Sequence, residues 1–139
     1  EQTWTTEVVA GLKKRFTKAT LIVDNRAIGG FAADKLIRTL PADLALTHPD
    51  LVVFHDYGGE PDYERMVRWM RARSHAEVLL ASDHVTWSPD PSLPNAKPPD
   101  GDAWHDRHAD WLRDLALNLG CGYVDVRGGW REELRSSGR

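Results

Sequence analysis

The stretch DLVVFHDYGGEPDYE, residues 50–64, changes character twice in a short span. Its opening, DLVVFH at 50–55, is a continuous apolar run with β-branched residues, the pattern of a strand covered on both faces. Gly58 and Gly59 then relax the backbone, and an acidic turn leads on. From about Asp62, the residues Tyr63, Met66, Val67 and Met70 recur at the spacing of one helix face. A strand, a glycine turn and an amphipathic helix make one unit of a parallel α/β sheet.

The unit recurs on both sides. Upstream, Trp4, Val8, Leu12 and Phe16 fall four apart and predict an amphipathic helix over 4–16. Leu21–Asp24 is a short apolar run expected to be a strand, followed by the loop Asn25 to Gly30. Phe31, Leu36, Ile37 and Leu40 return to helical spacing, with Pro41 expected to stop that helix. Downstream, AEVLLAS at 76–82 predicts another buried strand. Residues 86–103 hold five of the eight prolines, which predicts an irregular loop placed as a wall or lid of a site. A helix is expected from Trp104 through Trp111, Leu112, Leu115 and Leu119, ended by Gly120 and Gly122. YVDV at 123–126 predicts a fourth strand, and WREELR at 130–135 a last helix. The alternation predicts a single α/β domain over 1–139, a three-layer α/β/α fold with a flavodoxin-like parallel sheet and helices on both faces.

Composition narrows the function. The 139 residues carry a net charge of −3, with 41% hydrophobic and 28% charged residues, which suits a soluble globular chain and gives no electrostatic footprint for nucleic acid. The basic run KKRF at 13–16 sits where a helix C-terminus favours positive charge. No apolar run is long enough to cross a bilayer, so no membrane partner is expected. Cys121 is the single cysteine, which excludes an internal disulfide and an all-cysteine metal cage. The compartment stays open between cytoplasm and secretion.

Ligands of open α/β sheets gather at the carboxyl ends of the strands. The unusual residues of this chain concentrate there: Asn25 to Gly30, His55 to Glu60, Ser82 to His84, and Arg127 to Gly129. In NRAIGG, 25–30, a glycine at a helix start lets the backbone N–H approach a ligand with no Cβ in the way. A helix N-terminus adds unpaired donors and partial positive charge, a combination suited to a developing oxyanion. A tight turn is the plainer use of the same glycines.

The order NRAIGG, then DLVVFHDYGGE, then AEVLLASDH and GYVDVRGGW, resembles the SGNH (GDSL-like) hydrolase superfamily from about Trp4 to Trp130. The resemblance implies a cofactor-free esterase in which a serine attacks an ester carbonyl with help from His and Asp, a carbohydrate O-acyl ester being the indicated substrate. It places the second-block glycine on Gly30, the oxyanion-donor candidate, and the third-block glycine on Gly58. The third-block Asn falls on Glu60, which accepts but cannot donate when ionised, so the amides of Gly58 and Gly59 are the alternative donors. The family's Gly-Asp-Ser block is expected before Trp4 and its Asp-x-x-His block after the last helix. The domain is therefore expected to be incomplete at both ends, with no clear nucleophile in this chain. Asn25, Gly29, Gly58, Gly59, Glu60, Asp83, His84 and Trp87 are the expected substrate-binding residues.

Several alternatives stay open. A non-catalytic carbohydrate-binding module or pseudoenzyme could use the same cleft, and IGG could serve a nucleotide- or phosphate-binding flavodoxin-like domain as an anion nest. GDA at 101–103 and DAWH at 102–105 mimic the missing catalytic blocks but fall in the proline-rich loop and helix start. Ser82 and His84, two apart on an extended strand, point to the same side. More in keeping with their place, Asp83 and His84 line or brace the site. His105 and His108 share a helix face near Asp102 and Asp106, yet a solvated polar face accounts for them, and no metal is expected. Trp4, Trp69, Trp104 and Trp111 fall in helical patterns as core or half-buried residues. Trp87, in the loop, is placed to stack on a sugar ring.

Overall fold

The computed structural model describes residues 4–85 and 103–137. Three parallel strands, β1 (Leu51–Phe54), β2 (Glu77–Ala81) and β3 (Gly122–Val124), form one sheet in the order β1-β2-β3. Leu51 pairs with Glu77 and Phe54 with Leu80 across the first ladder, and Leu79 pairs with Gly122 across the second. Six helices surround these strands: α1 (Trp4–Arg15), α2 (Ala33–Leu36), α3 (Leu40–Thr47), α4 (Glu60–Arg73), α5 (Ala103–Leu119) and α6 (Val126–Ser137). The α/β class, the parallel sheet and the packed helices are those expected from the alternating pattern.

The core lies under the two crossover helices. α4 buries Tyr63, Met66, Val67 and Met70, and α5 buries Leu112, Leu115 and Ala116. Both meet Val78 and Leu80 of β2 and Phe54 of β1 in one cluster, with Ala33 and Leu40 closing it from the N-terminal side. Burying each large apolar side chain is worth roughly 1.5–3 kcal/mol, so this contiguous cluster outweighs any surface ion pair. Gly120, with φ of 63°, turns the chain out of α5 in the left-handed region.

Five expectations need correction. Leu21–Asp24 is not a strand. It is irregular, with Ile22 93% exposed, because a strand exists only through ladder partners and no described strand lies beside it. α1 forms where expected, but its apolar stripe is not buried: Trp4, Val8 and Phe16 are exposed and the helix buries no residue. Pro41 does not stop a helix at Leu40. It occupies the first turn of α3, where a missing N–H costs nothing, and the expected helix over 31–40 shortens to α2 and a turn. β1 is covered on one face only, since Leu51 and Val53 are exposed while Phe54 is buried. α6 also starts earlier than expected, at Val126, which brings Arg127 into its first turn.

Candidate functional site

The carboxyl end of β2 is where chemistry collects. Ser82, Asp83 and His84 leave the strand, and Ser82 and Asp83 are buried while His84 is exposed. The Ser82 hydroxyl accepts from the Arg127 amide at 3.1 Å and reaches the Val124 carbonyl at 3.5 Å. It therefore splices β2 to β3 and α6. Among the described residues no hydrogen bond joins Ser82 to His84, whose ring lies 5.7 Å from that of Trp130, so the two do not form a hydrogen-bonded nucleophile–base pair.

Asp83 instead meets α5. Its Oδ2 contacts Nδ1 of His105, with only 4% of the Asp83 side chain and 18% of the His105 side chain exposed. A buried carboxylate needs partners to offset its lost hydration. Arg127 provides part of that, its Nη1 lying 3.9 Å from Asp83 Oδ1. The same guanidinium donates through Nε to Asp106 at 2.8 Å and through Nη1 to the His84 carbonyl at 3.3 Å. Arg131 adds a 2.6 Å bond to Asp106. Burial works against the Asp106 carboxylate, but the hydrogen bond from Arg127 and the charges of Arg131 and Arg127 outweigh it and hold the carboxyl below its ordinary range.

β1 brings His55 to the same edge. Burial pushes its imidazole below the ordinary value, a loss that Asp83 partly offsets and His84 reinforces. On α5, His108 is buried and stacked between Trp104 (5.0 Å) and Trp111 (5.2 Å). Burial lowers its pKa against the opposing pull of Glu60 and Asp83, which favours the neutral imidazole. Glu60 Oε1 lies 3.9 Å from His108 Nδ1. The start of α4 and the first turns of α5 are thus neighbours.

The glycine turns join from the other side. Gly58 has φ of 134°, and a Cβ there would meet Ala32 Cβ at 3.2 Å and the Ala33 nitrogen at 3.4 Å. The positive φ is strained for any other residue and the space for a Cβ is tight, so conformation first and space second favour glycine. The Ala33 amide donates to the Tyr57 carbonyl at 3.4 Å and fastens this turn to α2. Gly30, with φ of 77°, sits in an exposed turn just before that contact. Gly58, Gly59 and Glu60 donate no backbone hydrogen bond to any described residue, and neither does Gly30. Asn25 is spent locally, its Oδ1 accepting from the Ala27 amide at 3.0 Å. Asn25 also lines a shallow groove between α1 and residues 23–25, away from Asp83. Gly29 is exposed with open space around it. Trp87, and Asp102 of the DAWH motif, lie outside the described residues.

The structure therefore brings Asp83, His84 and His55 to one edge of the sheet, with Glu60 reaching that edge through His108. His105, set aside as part of a chance motif or a solvated face, proves to be the partner of Asp83. Arg127 was noted only as part of a strand-end loop. The one signal for it was an arginine directly after a strand, which does not distinguish a buried guanidinium from a solvated one. Among the described residues no cluster of metal-ligating side chains forms, and no helix is long and apolar enough to cross a membrane.

No protein-family model matches the chain, and no curated protein sequence does either. Among solved structures, the fold is similar to that of a catalytic mutant of Axe2, an acetylxylan esterase from Geobacillus stearothermophilus. The TM-score is 0.76 over 96% of this chain and 67% of the esterase, at 15% sequence identity. The protein is thus an α/β domain with an esterase-like fold.

Proposed function

We propose that the chain belongs to an ester hydrolase of SGNH (GDSL-like) type, which in the full-length protein cleaves a carbohydrate O-acyl ester by serine acyl transfer. The observation that carries this reading is the juxtaposition at the carboxyl edge of the sheet. The Asp83–His105 pair lies one helical turn from His108, and His108 abuts Glu60 at the head of α4. An acyl transfer needs a proton acceptor on one side of the carbonyl and oxyanion donors on the other. His105 is suited to the first role. The amides of Gly58, Gly59 and Glu60, at the positive end of a fourteen-residue helix, are suited to the second. In this reading the Gly30 amide is a further donor. Glu60 in place of an amide side chain is tolerable because its carboxylate turns toward His108, leaving the backbone to meet the oxyanion. The likeness to an acetylxylan esterase supports an acetylated sugar as the ester.

Two assays test this. The full-length protein is expected to release p-nitrophenol from p-nitrophenyl acetate above the buffer rate, and acetate from an acetylated xylo-oligosaccharide more efficiently still. No turnover of either ester removes the proposal.

A second reading is favoured by one feature. Trp104 and Trp130, beside His105 and His84, each keep 46% of their surface exposed. Two half-exposed indoles beside a polar cluster, Trp104 with one face already stacked on His108, suit a pyranose ring whether or not its ester is cleaved. Binding of an unacylated xylo-oligosaccharide without any esterase activity would select this carbohydrate-binding alternative.

A further inference from the structure

We infer that Trp130 and the Asp106 carboxylate form the subsite for the sugar of the ester substrate, Trp130 stacking on one face of a pyranose ring and Asp106 accepting from its hydroxyls. The inference rests on the ester-hydrolase reading and names what selects the alcohol side of the bond.

The start of α6 builds this corner. The Asp125 carboxylate accepts from the Gly128 amide at 2.8 Å and caps the helix. A Cβ on Gly128 would collide with that carboxylate, which accounts for the glycine. With α6 beginning at Val126, Arg127 is buried in the first turn, and Trp130 and Arg131 follow three and four residues later on the same side. Arg127 anchors the turn, while Trp130 and Arg131 stay partly open to solvent, the Arg131 side chain 38% exposed.

A fixed acceptor and a steered indole distinguish this corner from ordinary wet surface. Asp106 Oδ1 takes a 2.8 Å bond from Arg127 Nε and a 2.6 Å bond from Arg131 Nη2, yet the side chain is 41% exposed. Two guanidinium groups thus orient the carboxylate before any ligand arrives, so little freedom is lost on binding. Against the cost of burial they also keep it ionised, and a charged acceptor bonds hydroxyls more strongly than a neutral one. The Trp130 ring packs against that of His84 at 5.7 Å and 57°. The His84 carbonyl in turn accepts from Arg127 Nη1 at 3.3 Å. Ring and carboxylate are therefore both tied to one buried guanidinium. A pyranose carries hydroxyls on its rim and C–H bonds on its faces, which match a fixed acceptor beside a flat aromatic surface. Trp104 is less suited, because its ring lies parallel to that of His108 at 5.0 Å. Arg127 Nη1 is also 3.9 Å from Asp83 Oδ1, so a sugar held here lies next to the strand end at which the proposed cleavage takes place.

The test compares Trp130→Ala, Trp130→Phe and Asp106→Asn in the full-length protein on two esters, an acetylated xylo-oligosaccharide and p-nitrophenyl acetate, which has no sugar. Trp130→Ala is expected to raise KM for the sugar ester about tenfold with kcat nearly unchanged. Selectivity for the sugar ester over p-nitrophenyl acetate, read as the ratio of kcat/KM values, should fall by a similar factor. Trp130→Phe should restore part of it, and Asp106→Asn should lower it about three- to tenfold. Asp106 also bonds Arg127, so thermal midpoints check the folding of its variant. Trp130→Ala, at an exposed position, carries the decision. Selectivity within about twofold of the wild type in that variant, whether both rates hold or both fall together, overturns the inference and leaves the ester-hydrolase reading standing. A wild type inactive on every ester removes that reading, and calorimetric titration with the unacylated xylo-oligosaccharide then decides the subsite by itself. Wild-type binding that Trp130→Ala weakens about tenfold supports the subsite. No wild-type binding, or equal affinity in the variant, overturns it as well.

Discussion

Helices α1 and α4 announce themselves in the sequence in the same way, each with apolar residues on one face, yet they end in opposite circumstances. α4 buries four side chains against β1, β2 and α5, while α1 buries none and leaves Trp4 64% exposed. The strand-like runs repeat the contrast. Glu77–Ala81 sits between two partners, and Leu21–Asp24 has no ladder at all. Periodicity reports which face a segment offers. Whether that face is buried depends on surfaces elsewhere in the molecule, and in residues 4–31 nothing described supplies them.

The largest expected effect follows from this contrast. Tyr63 is fully buried against Phe54, with ring centroids 4.7 Å apart, and also meets Trp111. Tyr63→Ala should cost about 3–5 kcal/mol in urea unfolding, and Leu80→Ala about 2–5 kcal/mol. Trp4→Ala and Val8→Ala should each stay within about 0.5 kcal/mol. If the α1 substitutions proved as costly as the core ones, α1 would have a partner surface and the contrast would fail.

The strand ends of the well-packed region carry a pH dependence of defined sign. Burial raises the Asp56 carboxyl from 3.8 to about 6, with Asp34 adding to the rise and a hydrogen bond from the Tyr57 backbone opposing it. A carboxyl whose folded pKa lies above its unfolded value favours folding while protonated. Its contribution is complete below about pH 3.8 and is lost as pH rises through about 6. His55 and His108 act in the opposite sense, since burial lowers both and their stabilisation is lost as pH falls from 6.5. The wild type and Asp56→Asn should therefore be compared at each pH. Asp56→Asn is expected to be the more stable by roughly 1 kcal/mol at pH 8, with the difference vanishing near pH 4. A constant difference across that range would show that folding does not raise the Asp56 pKa.

What was legible in the sequence follows the same division. The strand at 77–81 and the helices at 60–73 and 103–119 were readable because composition and periodicity agreed with their burial, whereas 51–54 was legible as a strand but not in how many of its faces are covered. Leu21–Asp24 was misread because a strand is a property of two segments and the sequence displays one at a time. Pro41 was misread because proline both ends helices and begins them. Asp83 and His84 were legible as residues at the carboxyl end of a strand, and the 58–60 turn as the start of a helix after one. The Asp83–His105 contact was not, since twenty-two positions and a crossover separate the partners and local spacing pointed to the chance Asp102–His105 motif. Gly30 and Gly58 were singled out as glycines, but only the packing of Gly58 against Ala32 and Ala33 explains why glycine is needed there.

The smallest effect sharpens the contrast from inside the core. The Tyr63 hydroxyl is fully buried with no hydrogen-bond partner among the described residues, and burial, with the nearby Asp56 charge, drives its pKa upward. An unsatisfied buried hydroxyl costs about 1–3 kcal/mol of desolvation with no bond to offset it. Tyr63→Phe keeps the ring contacts that Tyr63→Ala destroys and removes only that polar atom. It should thus be neutral or stabilising by up to about 1 kcal/mol. Made in the Asp56→Asn background at pH 8, the substitution also reports whether the two groups interact: independent effects should add, whereas a pair sharing a proton should not. A clear loss of stability in Tyr63→Phe alone would mean that the hydroxyl does find a partner. The best-packed element of the fold would then hold a polar link to the carboxyl edge of the sheet, where the proposed chemistry takes place.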